Sequence, residues 1–340
     1  PPLLRHMLRE SRRQPSLRAV NWVPRIDLSD EAAPVEIGDA CARVGFLTVV
    51  GHGVPQAVLD GAWSTAERFF ALPLEQKMTV AMPRPGYPYG YSPIAGETLA
   101  ASLGNRSHPD LKESFAIGPV DPATHSFADA DEEFAWSPNL WPDHVPELRT
   151  AWETYYRAMA ELAARLLRLM ATALHLEPTH FDPMIDRHTS AMRALSYPPV
   201  DRVAAVADGQ HGASAHTDYG TLTILMADST QRGLQVQAAD GTWADIVPEP
   251  GALVVNLGDA MARWTNDRWR STMHRVVVPA RQRQSIAFFH NANWNARIEC
   301  LPTCLEPGEQ PRHAPIEAGP HRSEEHTSEL QSRVDISYAV

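Results

Sequence analysis

The sequence predicts a mixed α+β chain whose carboxy-terminal half is a β-barrel or jelly roll. Three observations carry this. From about residue 190 to about residue 305, short apolar runs alternate with Gly, Pro, Asn and Asp turns, and no long helical pattern interrupts them. Between Trp152 and Leu176 the period is helical instead: Leu162, Leu166, Leu169 and Ala173 recur at i, i+4, i+7 and i+11, one face of an amphipathic helix. The stretch from about 35 to 180 is otherwise mixed, so helices and strands share the amino-terminal half.

Taken in order, residues 1–20 are Arg-rich and lack apolar periodicity, and are expected to be disordered or read-in sequence. Residues 21–180 form the amino-terminal region. Inside it, Pro83 to Tyr91 is dense in Pro, Gly and Tyr and reads as a loop. Its tyrosines would suit a substrate entrance, although a structured surface loop is the favoured reading. The stripe on the 152–176 helix is core packing. Residues 181–320 hold the strands. Among them Thr221-Leu222-Thr223-Ile224-Leu225-Met226, His274-Arg275-Val276-Val277-Val278 and the run Arg283 to Phe289 are rich in β-branched and apolar residues. Arg322 to Ser332 reads as translated adapter sequence, so 322–340 is left out of fold reasoning as a scar would be.

The chemistry sits on these strands. His216 and Asp218 are two residues apart, so in extended backbone their side chains share a face. His274 opens a second strand. Two imidazoles and one carboxylate are the ligand set of the facial triad of mononuclear non-haem Fe(II), which leaves the opposite coordination positions open. Arg283 and Ser285, again two apart, are suited to holding a carboxylate beside that metal, because a guanidinium stays charged and grips carboxylate with two parallel hydrogen bonds. Together they point to Fe(II)-dependent oxidation with 2-oxoglutarate. His211 and His290 lie near in sequence but share no strand face with a second candidate ligand, and are read as ordinary histidines.

Composition narrows the alternatives. The chain has 340 residues, 44% of them hydrophobic, enough for a sizeable core. Its net charge is −11 with Lys and Arg scattered, which excludes a nucleic-acid-binding stripe. Cys41, Cys300 and Cys304 do not make a disulfide framework, and a zinc site at Cys300 and Cys304 lacks a second pair. No apolar run reaches transmembrane length. A cytoplasmic monomer acting on a small molecule is the expectation.

In its ordered motifs the chain resembles the isopenicillin N synthase-like 2-oxoglutarate/Fe(II) dioxygenases, from about Val23 to about Pro320. The resemblance rests on Val23-Pro24-Arg25-Ile26-Asp27-Leu28, the run Gly45 to Pro55, Phe70 to Lys77, Gly90-Tyr91, Lys112-Glu113-Ser114-Phe115 and Trp141-Pro142. It continues through Tyr197-Pro198-Pro199, His216 to Thr223, Gly233 to Val236, Asn256-Leu257-Gly258-Asp259, His274-Arg275-Val276 and Arg283-Gln284-Ser285.

The resemblance implies a double-stranded β-helix core with the amino-terminal region packed on it. It implies Fe(II) held by His216, Asp218 and His274, and 2-oxoglutarate held by Arg283 and Ser285, with the Tyr197 hydroxyl assisting. O₂ is then consumed, succinate and CO₂ are released, and a small metabolite, as in secondary metabolism, is hydroxylated, desaturated or cyclised. Because Asp218 is present, halogenation is not implied. This chain has Leu195 where many plant relatives have Asn, which removes a polar contact. Isopenicillin N synthase itself uses the Arg-x-Ser pair for its peptide substrate, so an oxidase without 2-oxoglutarate is the alternative. Candidate substrate contacts are Tyr219, Phe289 and Asn291, with Tyr89, Tyr91 and Phe115 from the amino-terminal half. Arg193, four residues before Tyr197, could pair with a substrate acid or with a surface carboxylate, and the surface is the favoured reading.

Overall fold

The computed structural model describes residues 23–84, 86–94, 96, 109–199 and 210–321. The expected read-in segment 1–20 and the adapter-like tail 322–340 lie outside the described residues.

The amino-terminal half runs β1 (Arg25–Asp27), α1 (Ala33–Arg43), β2 (Phe46–Val50), α2 (Gln56–Phe70), α3 (Leu74–Met78), β3 (Gly90–Ser92), β4 (Glu113–Ile117), α4 (Ala130–Ala135), α5 (Glu147–Ala173) and α6 (Asp182–Ile185). The carboxy-terminal half follows with β5 (Ala191–Tyr197), β6 (Ala213–His216), β7 (Leu222–Ala227), β8 (Leu234–Gln237), β9 (Trp243–Asp245), β10 (Leu253–Leu257), α7 (Asp259–Trp264), β11 (His274–Val276), β12 (Arg283–His290), β13 (Arg297–Ile298) and β14 (Ile316–Glu317).

The predicted helix is α5. It begins five residues before Trp152, directly after Pro146 and with Glu147 in its first turn, where a fixed φ and a negative charge both suit the helix start. It ends at Leu174, ahead of His175 in the left-handed region at φ 58°. Leu162 and Leu166 are buried as expected, while Leu169 and Ala173 are partly buried against the same core. Trp152 is fully buried and donates its indole N–H to the Ala62 carbonyl of α2 at 3.3 Å. Truncating a buried Trp of this kind costs roughly 3–5 kcal/mol.

Eight strands form one sheet in the order β1-β2-β10-β7-β12-β5-β4-β3, and four form a second, β6-β11-β8-β9. Short strands with crossovers between two facing sheets are the jelly-roll, double-stranded β-helix architecture. Its core is continuous with the amino-terminal half, because β2 pairs with β10 and β4 with β5. The large sheet is sided. Ile224, Ile286 and Phe288 face the helices, in one core with Trp152, Met159 and Leu166 of α5. Alternate residues face the small sheet, where Leu195, Val254 and Ala287 meet Ala213, Val236 and Val276.

Just before Gly90, two tyrosines are held by their hydroxyls. The hydroxyl of Tyr87 donates to the Pro138 carbonyl at 2.6 Å and that of Tyr89 to the Ala135 carbonyl at 2.5 Å. One close approach requires glycine: a Cβ on Gly258 would lie 2.1 Å from the Gly220 carbonyl oxygen, so the β10–α7 turn fits against the Asp218 loop only without a side chain.

Candidate metal and co-substrate site

The space between the two sheets is a cavity, and the candidate ligands stand at one side of it. His216 ends β6 and His274 opens β11, and the antiparallel register puts the two opposite one another. The register then shifts before Val276, which pairs with Ala213; such a bulge re-aims side chains next to a site. Asp218 follows β6 by two residues. Among the described residues these three are the only group of His, Cys, Asp and Glu side chains gathered as a metal site would require, with ligand atoms within 4.8 Å of one another.

The hydrogen bonds orient all three. Nδ1 of His216 lies 2.7 Å from the Ser214 carbonyl, and Nδ1 of His274 lies 3.1 Å from the Thr272 carbonyl. A carbonyl can only accept, so each ring carries a proton on Nδ1 and turns its Nε2 inward. Asp218 Oδ2 accepts from Thr223 Oγ1 at 2.6 Å and from Asn256 Nδ2 at 2.7 Å. That leaves Oδ1, which is 3.7 Å from each Nε2. Two ligand bonds of about 2.1 Å can span that separation.

Electrostatics agree. Burial pushes the His216 imidazolium down to about 4, with His274 adding repulsion and Lys112 a smaller share, so His216 is a neutral ligand at neutral pH. Burial works to raise the Asp218 carboxyl, but the two imidazoles and the Thr223 and Asn256 hydrogen bonds outweigh it and hold the group below its ordinary value. The donor set of two imidazole nitrogens and one carboxylate oxygen fits Fe(II).

A second constellation stands on β12. Arg283, Ser285, Ala287 and Phe289 are alternate residues of β12, and all four line the cavity. Arg283 is 2% exposed, yet its Nε and Nη1 have no hydrogen-bond partner among the described residues. An unpaired buried charge is expensive, so this guanidinium is built to receive an anion. Tyr197 is its cross-strand neighbour on β5, with the guanidinium carbon 5.1 Å from the ring centroid.

Other sequence candidates divide. Tyr219, Phe289 and Asn291 line the cavity. Tyr89, Tyr91 and Phe115 do not. Phe115 points from the other face of β4 into Phe69 and Trp152, and Tyr91 donates to Glu113 Oε2 at 2.7 Å. Tyr89 is held by its hydroxyl against the Ala135 carbonyl. Arg193 corrects its surface assignment: it shares the inward face of β5 with Leu195 and Tyr197 and lines the cavity. His211 lies 3.3 Å from Arg275 Nη1, and His290 is buried with Nδ1 2.7 Å from Thr221 Oγ1, so neither joins the triad. Thr223, Asn256 and Lys112 went unassigned from sequence. All three belong to the family-like motifs, but only strand register shows what they touch.

Residues 23–144 match the family described as non-haem dioxygenase in morphine synthesis N-terminal, and residues 188–292 match the 2OG-Fe(II) oxygenase superfamily. The 2-oxoglutarate-Fe(II) type oxidoreductase hxnY of Emericella nidulans is 38% identical over 288 residues, covering 83% of this chain and 80% of that protein. The chain belongs to the isopenicillin N synthase-like 2-oxoglutarate/Fe(II) dioxygenases. The proline hydroxylase buaE of Petromyces alliaceus is 32% identical, with 86% of this chain and 94% of that protein covered. Among solved structures, a full-length Neurospora crassa protein in complex with alpha-KG and thymine superposes with a TM-score of 0.78 at 29% identity, covering 90% of this chain and 96% of that one.

This member of the family is therefore an oxidoreductase that uses Fe(II), 2-oxoglutarate and O₂, and the oxidase alternative is not favoured. No helix among the described residues is long and apolar enough to cross a membrane.

Proposed function

We propose that His216, Asp218 and His274 ligate the iron and that Arg283, with Ser285 and Tyr197, binds the distal carboxylate of 2-oxoglutarate. The observation that carries this reading is the buried Arg283 with two unpartnered donors on the same cavity wall as the triad. Bound Fe(II) and 2-oxoglutarate supply the power to oxidise an unactivated C–H bond with O₂, with succinate and CO₂ as co-products. The chain's own residues bind and orient. Thr223 and Asn256 fix which Asp218 oxygen faces the metal, and the Ser214 and Thr272 carbonyls fix the imidazole tautomers.

The substrate is a small organic metabolite seated against Arg193, Tyr219, Phe289 and Asn291, with a carboxylate or carbonyl for the Arg193 guanidinium to hold. Small polar molecules stand in the names of relatives: a proline hydroxylase and a complex with thymine. Because Asp218 occupies its ligand position, the outcome is hydroxylation, desaturation or ring closure. Residues 21–180 and 181–320 act as two parts of one catalytic unit, since Lys112 from the first part lines the cavity of the second. The reading is completed by a monomer in a reducing cytoplasm that draws its substrates from secondary metabolism.

The test is substrate-dependent succinate release across a panel of small carboxylic acids, amino acids and nucleobases, comparing wild type with Arg193→Ala. The expected result is a substrate that stimulates succinate release in wild type, with kcat/KM at least tenfold lower in the variant and unchanged 2-oxoglutarate binding. Oxidation without succinate would contradict the reading, and so would a variant as specific as wild type.

A further inference from the structure

We propose that Lys112 is a second cationic anchor for 2-oxoglutarate, holding the carboxylate at the metal end while Arg283 holds the distal one. The inference rests on the assignment of Arg283 above. Its ground is a row of three residues. Lys112 immediately precedes β4, which pairs with β5 so that Glu113 stands opposite Ser196. One step back along that register brings Lys112 opposite Tyr197, and Tyr197 is in turn opposite Arg283. All three line the cavity. Strands about 4.8 Å apart separate the backbones of Lys112 and Arg283 by roughly 10 Å. Two long cationic side chains converging across that gap can hold both ends of a five-carbon diacid.

Lys112 is also on the His216 side of the row. Its Nζ is 2.9 Å from Asp110 Oδ2, and both side chains are almost wholly buried. Asp110 Oδ1 accepts from the Ser214 backbone N–H at 2.9 Å and the Ser214 hydroxyl at 2.7 Å. The Ser214 carbonyl then accepts a hydrogen bond from the Nδ1–H of His216. On the intervening strand the inward residue next to Tyr197 is Leu195, which has no side-chain polar atom for a carboxylate. A buried ion pair adds little to stability over an apolar pair of similar volume. An ammonium retained at the cavity wall, with its countercharge fixed behind it, is suited to meeting an anion there.

The competing role is a clamp that ties the segment before β4 to the start of β6, where the Leu111 N–H also donates to the His211 carbonyl at 3.0 Å. The two roles separate in one experiment. Fe(II)-loaded protein is titrated anaerobically with 2-oxoglutarate and, separately, with pyruvate, a 2-oxo acid that lacks the distal carboxylate. The metal-to-ligand charge-transfer band reports binding. Lys112→Met alone strands the Asp110 charge, so the informative variant is Asp110→Asn/Lys112→Met, compared with Arg283→Ala.

The expected result is wild-type Fe(II) binding in the double variant with at least tenfold weaker binding of both acids. Arg283→Ala should weaken 2-oxoglutarate alone and leave pyruvate unchanged. Pyruvate binding in the double variant equal to wild type would overturn the anchor role. Loss of Fe(II) binding there would overturn it too, making the pair a support for His216. Wild-type protein that gives no band with either acid would overturn the co-substrate assignment itself, and the Lys112 role with it.

Discussion

His216 and His274 are direct partners across the antiparallel β6–β11 pair, with ring centroids 4.2 Å apart. Two imidazoles this close are tolerable only if at least one is neutral, and burial ensures that for His216. Phe46 seals the other side of His274, edge-on at 5.4 Å between centroids. The fold thus sets the candidate ligand atoms side by side.

Removing one partner should dismantle the site. His274→Ala is expected to abolish Fe(II) binding and turnover while leaving the fold intact, because the side chain ends at the cavity. Metal analysis after anaerobic reconstitution checks this. Tight stoichiometric iron in the variant would remove the triad from consideration.

The carboxylate is oriented by two neighbours, and its orientation should matter. Asn256→Leu takes away the 2.7 Å hydrogen bond to Asp218 Oδ2 and leaves Thr223 as the one remaining side-chain donor to that oxygen among the described contacts. Loss of such a supporting contact typically costs 10–100-fold in metal affinity or activity. The expected outcome is Fe(II) affinity lowered within about that range, measured by competition with a chelator. Unchanged affinity would mean that Thr223 suffices.

Behind the site, His188 and His290 face each other at 5.2 Å between ring centroids, beside Tyr156 on α5. Burial pushes His188 down to about 4 and His290 well below its ordinary value. The sign follows: the unfolded chain takes up protons near pH 6.5 and the folded chain resists them, so stability present above pH 6.5 is lost as pH falls toward 4. For His188 the loss is up to about 3 kcal/mol. His188→Phe keeps a ring against Tyr156 and should flatten the decline in urea-unfolding free energy between pH 7 and pH 4.5. An identical decline in wild type and variant would show that His188 titrates normally.

Much of this site was legible before the fold was seen. His216-x-Asp218 and Arg283-x-Ser285 each fall on one face of extended backbone, and that parity is a property of strands alone. Parity does not say which face looks inward. Phe115 and Tyr91 were candidates by type, but Phe115 packs on Phe69 of α2 and Trp152 of α5, and Tyr91 of β3 meets Phe69 and Glu113 instead of the cavity. Arg193 and Asn256 were misplaced or unassigned for the matching reason: their surroundings come from cross-strand register with Ala287 and Thr223, and Lys112 lies one step before the β4–β5 pairing. Register is fixed by the assembled sheet, and a single strand does not disclose it. The α5 stripe was clear because eleven buried positions along one helix repeat the same period.

The central claim is that Arg283 and the His216–Asp218–His274 triad form one site for Fe(II) and 2-oxoglutarate. It is tested most directly by anaerobic visible absorption of the Fe(II) protein on addition of 2-oxoglutarate, in wild type and in Arg283→Ala. A guanidinium contributing two charge-assisted hydrogen bonds, at roughly 1.5–3 kcal/mol each, predicts a charge-transfer band in wild type. The variant should then need at least a hundredfold more 2-oxoglutarate to reach the same band. A band that develops at the same concentration in both proteins, or in neither although both bind iron, would contradict the account.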